Sequence, residues 1–128
     1  MFKNKRIFYL SAAIAYALLI FFLSSLTGAE ADRLNYFKIW DKLAHFLEYA
    51  LFCFLVSKAL FFTLENNMKR YISLLAVLIV ILFAISDEFH QSFVPGRSAE
   101  VYDVFADGMG AVLSQIILYI KEVKGDLR

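Results

Sequence analysis

Apolar and polar positions alternate along this chain in long blocks, with four apolar runs separated by short charged stretches. Ile7 to Leu26 carries no charge over 20 residues, about the length a helix needs to cross ~30 Å of hydrocarbon. Tyr71 to Ser86 is a second uncharged run. Two further segments are apolar but interrupted, one by His45, Glu48 and Lys58, the other by Asp103 and Asp107. The pattern predicts an all-α integral membrane bundle of four transmembrane helices, roughly 7–26, 43–64, 71–91 and 101–120, in a single domain spanning 1–128. Pro95-Gly96 is the one strong turn signal and suits the central positions of a type II turn between the third and fourth helices.

Composition strengthens this reading. Apolar residues make up 61% of the chain and mean hydropathy is +0.65, well above the ~45–50% apolar share of soluble domains. A net charge of +1 without a basic stripe excludes nucleic acid as a partner. Cys53 is the only cysteine, which rules out an intramolecular disulfide and a Cys-based zinc site; in its apolar run it reads as a small buried hydrophobe.

Loop cations set the expected orientation. Lys3, Lys5 and Arg6 precede the first helix, Lys58, Lys69 and Arg70 lie between the second and third, and Lys121, Lys124 and Arg128 follow the fourth. The other two loops hold more carboxylates, so both termini are expected in the cytoplasm. Trp40 and Tyr36 are expected interface anchors. The rival reading of the N-terminus, a signal peptide cleaved near Gly28-Ala29-Glu30-Ala31, is disfavoured because the apolar run exceeds the usual ~7–15 residues of a signal core.

With that threading, the ionisable groups gather at the extracytoplasmic ends of three helices. Asp41, His45 and Glu48 are spaced i, i+4, i+7 and share a face of the second helix. Asp87, Glu88, His90 and Gln91 close the third; Asp103 and Asp107 open the fourth on one face; Arg97 lies in the loop between them. Asp107 is expected roughly 10 Å inside the outer boundary, where a lipid-facing carboxylate costs about 2.5–3.5 kcal/mol. Asp107 and Glu48 are therefore expected to face the bundle interior, with Lys42, Arg97 and the two histidines as available partners. Ala106, Gly110 and Ser114 form a small-residue strip that lets a neighbouring helix come close, which is also the signature of an ordinary packing interface.

Seven acids, Asp41, Glu48, Asp87, Glu88, Glu100, Asp103 and Asp107, face two fixed cations, Lys42 and Arg97. Protonated carboxyls, protonated histidines and a bound cation are all open ways to balance this excess. A divalent metal would draw on Asp87, Glu88, His90 and Asp107, although no zinc signature is present. His45 reads as a general base, a metal ligand or a packing residue hydrogen-bonded to Glu48; beside the other groups the functional reading gains, because ionisable residues inside membranes mark sites. Arg97 suits either lipid headgroups or bidentate recognition of phosphate or carboxylate. Ser24-Ser25 is weak, an interfacial break rather than a nucleophile.

The segment from Trp40 to Ala50, WDKLAHFLEYA, resembles one motif of the VanZ-like family. The segment from Ser86 to Arg97, SDEFHQSFVPGR, with Asp103, Asp107 and Gly110 after it, resembles that family's more specific signature. Ser24-Ser25 is also similar, and the likeness runs from about Leu23 to Leu113 with no departure at the matched positions. The resemblance implies a four-helix protein of the bacterial cytoplasmic membrane. The family takes its name from a member linked to low-level resistance to the glycopeptide teicoplanin.

The leading expectation is a cell-envelope protein that binds an anionic, lipid-linked or phosphate-bearing ligand. Lys42 and Arg97 would hold the anion with Gln91 nearby. His45, Glu48, Asp87, Glu88 and His90 would supply acid/base groups or hold a metal, and Asp103 and Asp107 would orient them or complete the metal shell. Hydrolysis or group transfer on an envelope lipid precursor is the reaction class such groups serve. The alternative is a non-catalytic scaffold or partner-binding factor whose polar cluster is structural. A transporter fares worse, because no charge lies between Asp107 and Lys121 or between Tyr71 and Ser86.

Overall fold

The computed structural model describes residues 1–34 and 41–126. Four long helices form the molecule: α1 (Phe2–Ser24), α3 (Asp41–Thr63), α4 (Ile72–Gln91) and α5 (Val101–Asp126), with a short α2 (Gly28–Leu34) between the first two. All four long helices are long and apolar enough to cross a membrane. The protein is a membrane-helical, multi-pass bundle.

Several helices outrun the apolar runs that predict them. α1 starts at Phe2 rather than near Ile7, and α5 continues to Asp126 rather than stopping near Ile120. Hydropathy marks the part that needs hydrocarbon, whereas backbone hydrogen bonding continues as long as no breaker intervenes. The expected anchors Tyr36 and Trp40, and the side chain of Asp41, lie outside the described residues.

Long-range contacts give the helix directions. Lys5 and Tyr9 of α1 meet Phe62 of α3, so these two run antiparallel. Ser24 of α1 meets Asp87 of α4, while Lys42, His45 and Cys53 of α3 meet Asp103, Asp107 and Gln115 of α5 in rising order. The bundle is up-down-up-down, and α3 packs against α1, α4 and α5. The C-terminal ends of α1 and α4 therefore share one end with the N-terminal ends of α3 and α5.

The bundle interior combines small and polar residues with a few larger ones, among them Ile20, Tyr49 and Phe52, while many large apolar side chains point away from it. Along α4, Ala76, Val80, Ala84, Asp87, Glu88 and Gln91 are buried while Leu74, Leu78, Leu82, Ile85 and Phe89 are exposed. A soluble helix shows the reverse, since water repels what lipid accepts. The buried face of α5 is Asp103, Asp107, Gly110, Ala111, Ser114 and Gln115, a helical stripe almost without large hydrophobes. Gly110 sits where α5 crosses α3: a side-chain carbon there would collide with the backbone carbonyl of Phe46. Deeper along the same contact, Gln115 donates to Ser57 Oγ at 2.7 Å and to Cys53 Sγ at 3.1 Å. Cys53 is buried as expected, and it is also an acceptor in an interhelical link.

Two loops are fastened together over the polar end. Thr27 and Glu30 form a reciprocal capping box on α2: Glu30 Oε2 accepts from the Thr27 N–H at 2.9 Å, and the Glu30 N–H reaches Thr27 Oγ1 at 3.4 Å. The Thr27 N–H, with the Thr27 hydroxyl beside it, holds the Glu30 carboxyl below the usual range for glutamate. After α4, Arg97 N–H bonds Val94 O at 3.1 Å around Pro95 and Gly96, whose φ is 75°, the arrangement a type II turn requires. Gly28 N–H donates to Pro95 O at 3.0 Å. A side chain on Gly28 would strike the Gly96 carbonyl, so the α1–α2 and α4–α5 loops meet backbone to backbone. That contact fixes where Arg97 stands.

Candidate functional site

Asp87 is the hub of the α1–α3–α4 junction. It is 4% exposed and takes Ser24 Oγ on one oxygen at 2.5 Å, with Gln91 Nε2 at 3.2 Å and Tyr49 OH at 3.5 Å on the other. Gln91 passes the chain on, since its Oε1 accepts from Arg97 Nη2 at 2.8 Å. One connected line of hydrogen bonds thus runs from α1 through α4 to the loop arginine. Ser24 and Ser25, read from sequence as an interfacial break, belong to this network: Ser25 Oγ lies 3.0 Å from His90 Nε2, and His90 stacks on Phe21 at 4.4 Å. Their i, i+1 placement presents one serine to each of two α4 residues three apart, a relation visible only once α1 and α4 are side by side.

A second set joins α3 to α5. Lys42 is ion-paired with Asp103, and with Glu100 at 2.6 Å, at the first turn of α5. His45 Nδ1 lies 3.1 Å from Asp107 Oδ1. Glu88, from α4, accepts the Glu100 N–H on Oε2 at 3.0 Å, satisfying an amide at the start of α5 where carboxylates are favoured. Its other oxygen, Oε1, is buried and has no hydrogen-bond partner among the described residues.

These pairings assign the partners that the charge count left open. Asp107 takes His45; Lys42 takes Glu100 and Asp103; Arg97 takes an amide rather than a carboxylate. Glu48 makes no hydrogen bond among the described residues and lines a cleft of about 150 Å³ with His45, Asp87, Gln91 and Arg97. Of the four expected metal ligands, Glu88 and Asp107 stand together, and among the described residues His45 joins them: one ligand atom from each lies within 4.8 Å of the other two. Asp87 and His90 instead engage Ser24 and Ser25 of α1, and Asp87 also meets Tyr49 of α3. The sequence spacing of Asp87, Glu88 and His90 hides this, because neighbours on a helix point about 100° apart.

Two cavities flank the cluster. A polar pocket of about 450 Å³ is lined by Lys42, His45, Gln91, Arg97, Glu100 and Asp103 together with residues of α2 and the turn. On the other side, α4 and α5 bound an apolar groove of about 920 Å³, with Ile81, Ile85, Phe105, Met109 and Ile116 in its walls. Glu100 lines both, and Glu88 reaches the groove at its polar end. Tyr49, buried in the centre, and Gln115 and Ser57 are polar participants that residue-by-residue reading passed over. Tyr49 lay within the quoted motif, and its spacing of four from His45 was the signal available.

The family model described as VanZ/LLP1 matches residues 2–122, nearly the whole chain. No curated protein and no solved structure matches it. The extent of that match, together with the four-helix membrane fold, establishes that this chain belongs to the VanZ/LLP1 family.

Proposed function

We propose that this protein binds an anionic, lipid-linked or phosphate-bearing ligand of the bacterial cell envelope at the polar end of its bundle. In this reading both termini face the cytoplasm and the polar pocket opens on the extracytoplasmic side. The observation that carries it is the adjacency of the two cavities: a polar pocket lined by Lys42, His45 and Arg97 meets an apolar groove at Glu100. An amphiphile needs that shape, with a charged head beside a chain that remains in an apolar trough.

Arg97 is the primary anion contact. Its guanidinium donates to Gln91 alone among the described residues, which leaves further N–H groups for a phosphate or carboxylate. Lys42 sits at the mouth but is already paired with Glu100 and Asp103, and serves mainly to hold α3 to α5. Hydrolysis or group transfer on the bound lipid is the chemistry that His45, Glu48 and Glu88 would serve beside it. The link to teicoplanin resistance follows from the same reading, as a change in an envelope precursor on which glycopeptides act.

Binding of a short-chain prenyl monophosphate and of the corresponding alcohol to the purified protein in nanodiscs tests this. The phosphate should bind at least tenfold more tightly, and Arg97→Gln should remove that preference while the bundle stays folded. Equal affinity for the two, or an unchanged preference in Arg97→Gln, would sink the proposal.

A second reading is favoured by Asp87, whose carboxylate is met by Ser24, Gln91 and Tyr49 from three helices. Groups so satisfied act as helix glue. If the whole cluster is of this kind, the protein is a membrane scaffold, and alanine at Asp87 lowers folded protein in the membrane rather than ligand affinity.

A further inference from the structure

We propose that His45, Glu88 and Asp107 form a binding site for one divalent first-row transition metal ion, held between α3, α4 and α5 in the wall that separates the polar pocket from the apolar groove. The site does not depend on the identity of the envelope ligand.

Geometry is the first support. One donor atom from each of the three residues lies within 4.8 Å of the others. Around an ion with bonds of about 2.0–2.2 Å, donors stand roughly 3–4 Å apart, so small side-chain rotations bring the three onto one centre. Each comes from a different helix, and each is tethered. The α3–α5 contact at Gly110 brings His45 to Asp107, and the bond from the Glu100 N–H to Glu88 Oε2 holds the Glu88 carboxylate at the start of α5.

The second support is independent of that clustering. Glu88 is 5% exposed, and its Oε1 is buried with no protein partner among the described residues. Buried polar atoms are almost always satisfied, and one that is not points to a missing partner. A cation bound beside it would supply the missing partner.

Charge and donor chemistry select the ion. Two carboxylates and a neutral imidazole carry two negative charges, which a divalent cation balances inside a low-dielectric bundle where two bare carboxylates are costly. One nitrogen with two oxygens and no sulfur suits zinc, manganese, iron or cobalt and is a poor set for a soft monovalent ion. Three protein ligands leave coordination positions open, as catalytic rather than structural sites do. Because His45 lines the polar pocket and Glu88 the apolar groove, those open positions lie where the head of an amphiphile would come to rest.

The test uses the full-length protein in detergent, stripped with chelator and titrated with Zn²⁺, Mn²⁺ and Co²⁺ alone. One equivalent should bind, with visible Co²⁺ absorption marking its coordination. Glu88→Gln and Asp107→Asn should each weaken binding at least tenfold, whereas Glu122→Gln, an acid at the other end of α5, should not. X-ray absorption of the zinc-loaded wild type covers the case in which a variant fails to fold: a shell of one imidazole and oxygen donors supports the site. No stoichiometric uptake, unchanged affinity in folded Glu88→Gln, or a shell containing sulfur or two imidazoles would overturn it.

Discussion

His45 of α3 and Asp107 of α5 meet with Nδ1 3.1 Å from Oδ1, and the Asp107 side chain is 1% exposed. The pair ties together the two helices that share the longest contact in the bundle, directly above the glycine crossing at Gly110. If the two side chains act as a unit, removing either should cost nearly as much as removing both. A double-mutant cycle of His45→Ala and Asp107→Ala, read by unfolding in detergent, should give a coupling of about 1–2 kcal/mol. Additivity within ~0.3 kcal/mol would show that the contact contributes nothing of its own.

Orientation is accessible through a single engineered thiol. Cys53 is buried, so it should stay silent towards a membrane-impermeant maleimide. Ser98, exposed in the turn beside Arg97, should react as Ser98→Cys in intact cells. Asn66→Cys, in the opposite loop, should react only after permeabilisation. The reverse pattern would put the polar pocket on the cytoplasmic face and remove the envelope reading.

Close helix approach predicts a sharp difference between two glycines of α5. An added carbon at Gly110 meets the backbone of Phe46 and Ala50, which has no rotamer with which to retreat. At Gly108 the nearest atoms are the flexible end of Ile81 at 3.9 Å, an ordinary contact. Gly110→Ala should therefore destabilise the bundle by about 1–3 kcal/mol, and Gly108→Ala by less than about 0.5 kcal/mol. Thermal unfolding in one detergent separates them; equal effects would mean that α3 and α5 do not cross at Gly110.

The α2 cap should respond to acid. Glu30 accepts from Thr27 and its carboxyl is held below the ordinary glutamate value. A depressed folded pKa contributes stability that is present above the unfolded value, about 4.3, and is lost as pH falls through the folded value. Hydrogen exchange of the α2 amides should accelerate below about pH 4 relative to pH 6, after correction for intrinsic rates. In Glu30→Gln the protection should be lower at pH 6 and nearly independent of pH. An identical pH response in that variant would assign the transition to another group.

The apolar runs were enough to place four membrane helices, because a bilayer imposes a minimum length on any segment that crosses it. They were enough, too, to gather His45, Glu48, Asp87, Glu88 and Asp107 at one end, since alternating helices leave no other arrangement. The Pro95-Gly96 turn was legible for a similar reason: a fixed φ beside a residue that tolerates a positive one admits few local structures.

Partner choice was a different matter, because it depends on distances between residues 58 to 65 positions apart that local spacing does not encode. Ser24 looked like a break in an apolar run until α1 lay alongside α4 and brought its hydroxyl to Asp87. Gln115 looked incidental until the Gly110 crossing set it against Ser57 and Cys53. Glu88 and His90 looked like members of one motif, yet rotation along α4 sends the first toward α5 and the second toward Phe21 and Ser25 of α1. Hydrophobic length determines which end of the bundle a side chain reaches; only the crossing of the helices decides which neighbour it meets there.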